Sequence, residues 1–281
     1  MYDTIEKEIV IKMPIFKYED VDINYVVRGK GEPLLCFQGL GQSITSWTFQ
    51  LPYFKRRMKV IALDNRGVGK SSRPNYPYTM DMFIDESKAL LDYLEIKEKV
   101  HIMGISMGGM IAQQFALKYP ESVKTLILLA TAAMMDSKPL ITQYKHFMED
   151  LSLDEGFMER LKLMFSDEFI KRVEGDTRLY ETLRDKMTQD NPTTLQDYIN
   201  RGAAVSTHDT RNSLQIIKHP TLILAGSDDK IIPVSESEYL HEHMPNSRLE
   251  IIHGYGHGSL LVEDAEKVNS KIWDFIQEHL G

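Results

Sequence analysis

A serine sits between paired glycines in Gly104-Ile105-Ser106-Met107-Gly108-Gly109. The apolar run VHIMG precedes it, and MGGMIAQQFALKYP, with a helical period, follows. Strand, sharp turn and helix are the setting of a nucleophile elbow, in which the turn strains the serine backbone and leaves no room for side chains two positions either way. The hydroxyl is then presented at a helix N-terminus, and the next backbone N–H faces the reacting carbonyl. A serine hydroxyl is a weak nucleophile without a base and a group to orient that base.

Nine histidines compete for the base. His257, in GYGHGSLLVED, follows an apolar strand and precedes the last helix, on a loop able to reach the strand ends. His253 reads as structural, and His101 opens a strand at the opposite end of the sheet. His146, His208, His219, His241, His243 and His279 fall in connections, surface helices or the inserted segment described below. For the acid, LILAGSDDKIIP places Asp228 and Asp229 just after a strand, between Ser106 and His257 in the chain. The residues alone leave the choice between these two aspartates open.

The elements that must position these groups are short apolar runs alternating with helical patterns. EIVIKM and FKYEDVDINYVVRG read as strands, as do PLLCF (33–37), KVIAL (59–63), VHIMG (100–104), VKTLILLA (123–130), TLILAG (221–226) and RLEII (248–252). Helices are expected around 47–57, 80–95, 107–119 and 235–244, with a last one from about 260 to 279. Such alternation implies βαβ units and a mostly parallel sheet covered on both faces. It breaks between Met135 and Ile217, where about 80 residues are polar, Met-containing and helical in period. We therefore expect a core of residues 1–134 and 218–281, with a helical cap of residues 135–217 over the carboxyl ends of the strands.

Four blocks in order carry a resemblance: FQGLG (37–41), Asp64-Asn65-Arg66-Gly67-Val68-Gly69-Lys70-Ser71, the elbow, and GSDDKIIP with GYGHG. The chain resembles an α/β-hydrolase of the esterase, enol-lactonase and cofactor-free haloperoxidase group over most of its length outside 135–210. The resemblance implies Ser106 as nucleophile, His257 as general base and Asp229, fourth before Pro233, as orienting acid. It further implies an oxyanion hole from the N–H groups of Leu40 and Met107. Gln38-Gly39 stands where this group usually has His-Gly, a change at the side chain that leaves the backbone donor in place. Asp64, Arg66 and Ser71 are expected to tie loops beside the elbow. Cys36 reads as core.

The charge of −8, from 33 Lys+Arg against 41 Asp+Glu, gives no basic footprint for nucleic acid or anionic lipid. The longest strongly apolar stretch, Leu126–Met135, spans ten positions against the roughly 20 a membrane helix needs. With one cysteine and no basic, uninterrupted leader, the chain reads as soluble and cytoplasmic. No metal-ligand cluster and no G-x-G-x-x-G pattern occurs, so neither metal nor cofactor is expected. The function expected is a carboxylic ester hydrolase with a Ser-His-Asp triad, acting on a small ester or lactone. Methionines 134, 135, 148, 158, 164 and 187, in or beside the cap, are expected to pack its helices, some lining an apolar acyl pocket. Three competitors share the pattern: an enol-lactonase, a carbon–carbon bond hydrolase (which often carries Asn where Ile105 stands) and a hormone-receptor-like binding protein.

Overall fold

The computed structural model describes residues 14–187 and 191–281. Among these residues, eight strands form one sheet: β1 (Ile15–Tyr18), β2 (Val21–Arg28), β3 (Pro33–Phe37), β4 (Lys59–Leu63), β5 (Val100–Ile105), β6 (Val123–Leu129), β7 (Thr221–Gly226) and β8 (Ser247–Ile252). Their spatial order is β1-β2-β4-β3-β5-β6-β7-β8. The pairs β1/β2 and β2/β4 are antiparallel; from β4 to β8 every pair is parallel. All the parallel strands therefore deliver their carboxyl ends to one edge.

The apolar runs are continuous because both faces of the sheet are buried. Leu35, Phe37, Ile61, Leu63, Ile102, Leu126 and Leu128 join one core, and their neighbours Leu34, Cys36, Val60, Ala62, Met103, Ile127 and Leu129 join the other. Helices α2 (Met80–Tyr93) and α3 (Met107–Lys118) cover the first face, while α1 (Gln50–Phe54) and α11 (Ala265–Gln277) cover the second. Cys36 lies in the second core, and burial pushes its thiol pKa up.

Three expectations need adjusting, the first being the strand expected over FKYEDVDINYVVRG, which a turn at Glu19 and Asp20 splits into the antiparallel pair β1 and β2. The helix expected over 47–57 is a 3-10 turn, Ile44–Trp47, followed by the short α1, with Thr48 and Phe49 between them. The last helix is broken into α10 (Ser259–Val262) and α11. The strand expected at EIVIKM lies outside the described residues.

Among the described residues between β6 and β7 are five α-helices, α4 (Lys138–Glu149), α5 (Leu153–Met164), α6 (Asp167–Gly175), α7 (Thr177–Met187) and α8 (Leu195–Thr207), and a 3-10 turn, Leu214–Ile216. Helix α9 (Val234–His243) follows β7. Helices α5 to α7 bury their own apolar cluster, including Phe157, Leu161, Phe165, Phe169 and Val173. The chain enters and leaves this insertion at one point: Met134 and Asp209 form an isolated antiparallel bridge, and Thr210 N–H donates to Ala133 O at 2.9 Å. No helix among the described residues is long and apolar enough to cross a membrane.

His208 closes α8 at that neck and is 1% exposed. Burial pushes its pKa down to about 4, while hydrogen bonding to the Ala132 backbone and the charge of Asp209 pull the other way. An unfolded imidazole titrates near about 6.5, so below that pH the unfolded chain takes up a proton the folded one refuses. The stability tied to neutral His208 is therefore present above about pH 6.5 and lost as pH falls toward about 4, a swing of about 3 kcal/mol. Buried His101 is shifted the same way. Thermal unfolding followed from pH 7.5 to 4.5 should show a shallower acid decline in His208→Asn than in the parent. Parallel declines would count against this assignment.

Candidate active site

The elbow forms as its glycines require. A Cβ on Gly104 would lie 2.2 Å from Gly108 O, and one on Gly108 would lie 1.9 Å from Phe37 O. Helix α3 thus passes too close to the ends of β5 and β3 for a side chain at either glycine. Ser106 between them has φ 55 and ψ −123, a conformation an L-residue holds only when its surroundings impose it. They do so through the backbone. Ser106 N–H donates to Leu129 O at 2.9 Å, and Ser106 O accepts from Thr131 Oγ1 at 2.7 Å. Ser106 is half-buried between the fully buried Ile105 and Met107, so it is the most accessible point of an apolar turn.

Asp229 follows β7 and His257 follows β8, at the same edge of the sheet. Their loops are knitted together by Ser227 N–H to Ile252 O at 3.0 Å and Asp228 N–H to Tyr255 O at 2.9 Å. His257 Nδ1–H donates to Asp229 Oδ2 at 2.7 Å, with the side chains 6% and 1% exposed. The other oxygen, Oδ1, accepts from the N–H groups of Ile231 and Ile232, each at 2.8 Å. The carboxylate is fully engaged, and the imidazole is left with Nε2 to present. Asp228 is exposed and accepts from Ser227 Oγ at 2.7 Å instead. The structure thus brings Asp229, and not Asp228, to His257. It forms no hydrogen bond between Ser106 Oγ and His257; such bonds commonly tighten only when substrate is bound.

The Gly39–Gln42 turn after β3 reaches the serine: a Cβ on Gly39 would lie 3.4 Å from Ser106 Cβ. Gln42 braces the turn, its Oε1 accepting Gly39 N–H at 3.1 Å and its own N–H donating to Gly39 O at 3.2 Å. Neither the Leu40 N–H nor the Met107 N–H, first in α3, has an acceptor among the described residues. Gln38 settles what replaces the usual histidine, since its Nε2 donates to Leu63 O at 2.7 Å and ties β3 to β4.

Beneath the site, Asp64 accepts Ile44 N–H at 2.7 Å, Asn24 Nδ2 at 2.7 Å and Lys70 N–H at 3.0 Å. Burial pushes its carboxyl above the usual carboxylate range, and those donors pull it back. Ser71 Oγ donates to Asp64 O. Arg66 pairs with buried Glu86 at 3.0 Å. These residues hold loops together, as the sequence suggests.

The insertion touches the site from above. Gly258 N–H donates to Met164 O at 2.7 Å, and Lys230 bonds Asp167 at 2.7 Å. Met158 and Met164 pack in the insertion and Met135 against the core, whereas Met134 and Met148 are exposed. The Met187 side chain lies outside the described residues. A cavity of about 360 Å³ between α5, α6 and α7 is lined by Met158, Val173 and Tyr180 but also Lys162, Glu174 and Thr177, and includes none of the site residues. Among the described residues no group of three or more His, Cys, Asp or Glu is placed to hold a metal ion. Sequence reasoning missed Thr131 and Gln42; the signal for Thr131 was its polarity inside the apolar run.

The model for the alpha/beta hydrolase fold matches residues 32–264. The chain belongs to the alpha/beta hydrolase family. Among its relatives is 3-oxoadipate enol-lactonase 2 of Acinetobacter baylyi, 31% identical over 248 residues, 85% of this chain and 90% of that one. A poly(3-hydroxyalkanoate) depolymerase of Ectopseudomonas oleovorans is 32% identical over 261 residues, 88% of this chain and 84% of its own. Among solved structures, a hydrolase from Pseudomonas aeruginosa PA01 superposes with a TM-score of 0.82 at 25% identity, covering 95% of this chain and 99% of its own. As an alpha/beta hydrolase, the chain carries its eight-stranded sheet and flanking helices in the family's arrangement.

Proposed function

We propose that the protein is a serine hydrolase cleaving a small carboxylic ester through an acyl-enzyme. The observation that carries this reading is the buried Asp229–His257 contact at 2.7 Å, held at the strand edge that also bears the strained Ser106. Ser106 Oγ attacks the carbonyl carbon as His257 Nε2 takes its proton. Asp229 fixes the tautomer and stabilises the imidazolium. The Leu40 and Met107 N–H groups hold the oxyanion. The C–O bond to the leaving alcohol breaks as His257 returns the proton to it. Water, deprotonated by His257, then hydrolyses the acyl-enzyme and frees Ser106.

Residues 135–217 act in this reading as a cap, with Met164 and Phe165 against the His257 loop. A lactone is a cyclic ester, and the similarity to an enol-lactonase favours lactones as a second substrate class. A fluorophosphonate probe should label the protein once, at Ser106. Hydrolysis of p-nitrophenyl esters should be fastest for short-to-medium acyl chains, with little activity on emulsified long-chain triglyceride. Preference for the emulsion, or a label elsewhere, would reject this reading; single-turnover labelling without catalytic hydrolysis would favour a receptor.

A further inference from the structure

Helix α8 touches both sides of the proposed oxyanion hole. Thr193, buried just before the helix, donates its Oγ1 to Gly41 O at 2.8 Å. Gly41 has φ 72, and a Cβ there would lie 2.9 Å from Tyr198 Cε2, so the ring rests on the peptide next to Leu40. Tyr198 stacks on Tyr144 with centroids 4.1 Å apart and planes 7° from parallel. Tyr144 Oη closes the circuit by donating to Thr193 O at 2.9 Å. The Leu40 turn is therefore held from the inserted helices by a hydroxyl and an aromatic pair.

Arg201, one turn beyond Tyr198, reaches the other donor. It is fully buried, its Nη1 donating to Arg66 O at 2.8 Å and its Nη2 lying 3.7 Å from Met107 Sδ. The guanidinium lies 5.1 Å from the centre of the Phe83 ring. Arg201 pairs with no carboxylate among the described residues, and its Nε has no partner. Burial lowers its pKa to about 10, with Glu86, Tyr78, Asp64 and Asp197 opposing through longer-range charge. A buried cation without a directly bonded anion is expensive to retain. Here it lies beside the residue that begins α3, where the helix already presents its positive end. Helix α8 is itself anchored by Arg73, which bonds the capping Asp197 at 2.9 Å.

We propose that Thr193–Arg201 is the positioning element of the oxyanion hole, Thr193 and Tyr198 setting the Leu40 N–H and Arg201 setting Met107. None of the three touches the reacting atoms. The proposal rests on the hydrolase reading above, so its test must separate the two. Thr193→Val, Arg201→Met and Arg201→Lys would be compared with the parent for kcat and KM on a short p-nitrophenyl ester. Affinity would be measured for a trifluoromethyl ketone, which becomes an oxyanion on addition of Ser106, and for the product acid, which does not.

Loss of one direct oxyanion donor costs about 10²–10³ in kcat, and a misplaced donor costs less. We expect Thr193→Val to lose about tenfold in kcat with KM nearly unchanged, and the ketone to weaken in proportion to the loss in kcat/KM while the product acid binds as before. Arg201→Met should lose more, and Arg201→Lys should recover part of it. Thr193→Val and Arg201→Lys keep the test standing if Arg201→Met fails to fold. Unchanged kcat and ketone affinity in those two folded variants would overturn the proposal, as would a loss confined to KM. A ketone that fails to bind the parent would instead fault the assignment of Ser106, and the positioning role with it.

Discussion

Ser106→Ala is expected to lower ester turnover by about 10⁶-fold and to abolish fluorophosphonate labelling. The substitution removes only Oγ. Every hydrogen bond the structure gives Ser106 uses its backbone, from the N–H to Leu129 O and from Thr131 and the first turn of α3 to its carbonyl. The elbow should therefore fold as before, and thermal unfolding of the variant should stay close to the parent. Its neighbours Ile105 and Met107 are buried and apolar, so no adjacent group can take over the attack. A variant that keeps its fold and more than about a thousandth of the activity would remove Ser106 from the mechanism.

Asp229→Asn should lose about 10³–10⁴ in kcat with a smaller change in KM. The geometry says why. Two backbone N–H groups, from Ile231 and Ile232, hold Oδ1, so the asparagine carbonyl oxygen would settle there. Its NH₂ would then face His257 Nδ1, which must become the acceptor. That puts the proton on Nε2, the nitrogen that has to receive the serine proton. Asp228→Asn removes only an exposed charge, leaving an amide oxygen able to accept from Ser227, and should stay within about tenfold of the parent. Steady-state kinetics of both variants on one ester decide the matter. The reverse pattern would move the acid to Asp228, and two unimpaired variants would place it elsewhere.

Much of this arrangement was legible before the fold was in hand. The runs 33–37, 59–63 and 221–226 form β3, β4 and β7 at the expected residues, because strands buried on both faces leave an unbroken apolar signature. The elbow was legible because its glycines answer to local sterics. The break between α10 and α11 was not, since long-range contacts set it: Glu263 there accepts from Ser166 in the insertion. The 3-10 turn at 44–47 depends likewise on Asp64, which accepts Ile44 N–H from across the fold. Arg201 gave no signal either. Its spacing within a polar helix is that of an ordinary surface arginine, and only the docking of α8 buries it.

The closed neck at Met134 and Asp209 also bears on how such a protein can change. Because the chain enters and leaves the insertion at neighbouring residues, the helices between them can be lengthened, shortened or exchanged with little disturbance to strand register. Substrate range can then diverge quickly while the chemistry stays fixed. The ties from Thr193 and Arg201 limit that freedom. On the proposed mechanism, a transplanted insertion that ignores them would keep its host's nucleophile, base and acid and still turn over slowly. New specificity in this architecture should therefore arise more readily from α4 to α7 than from α8.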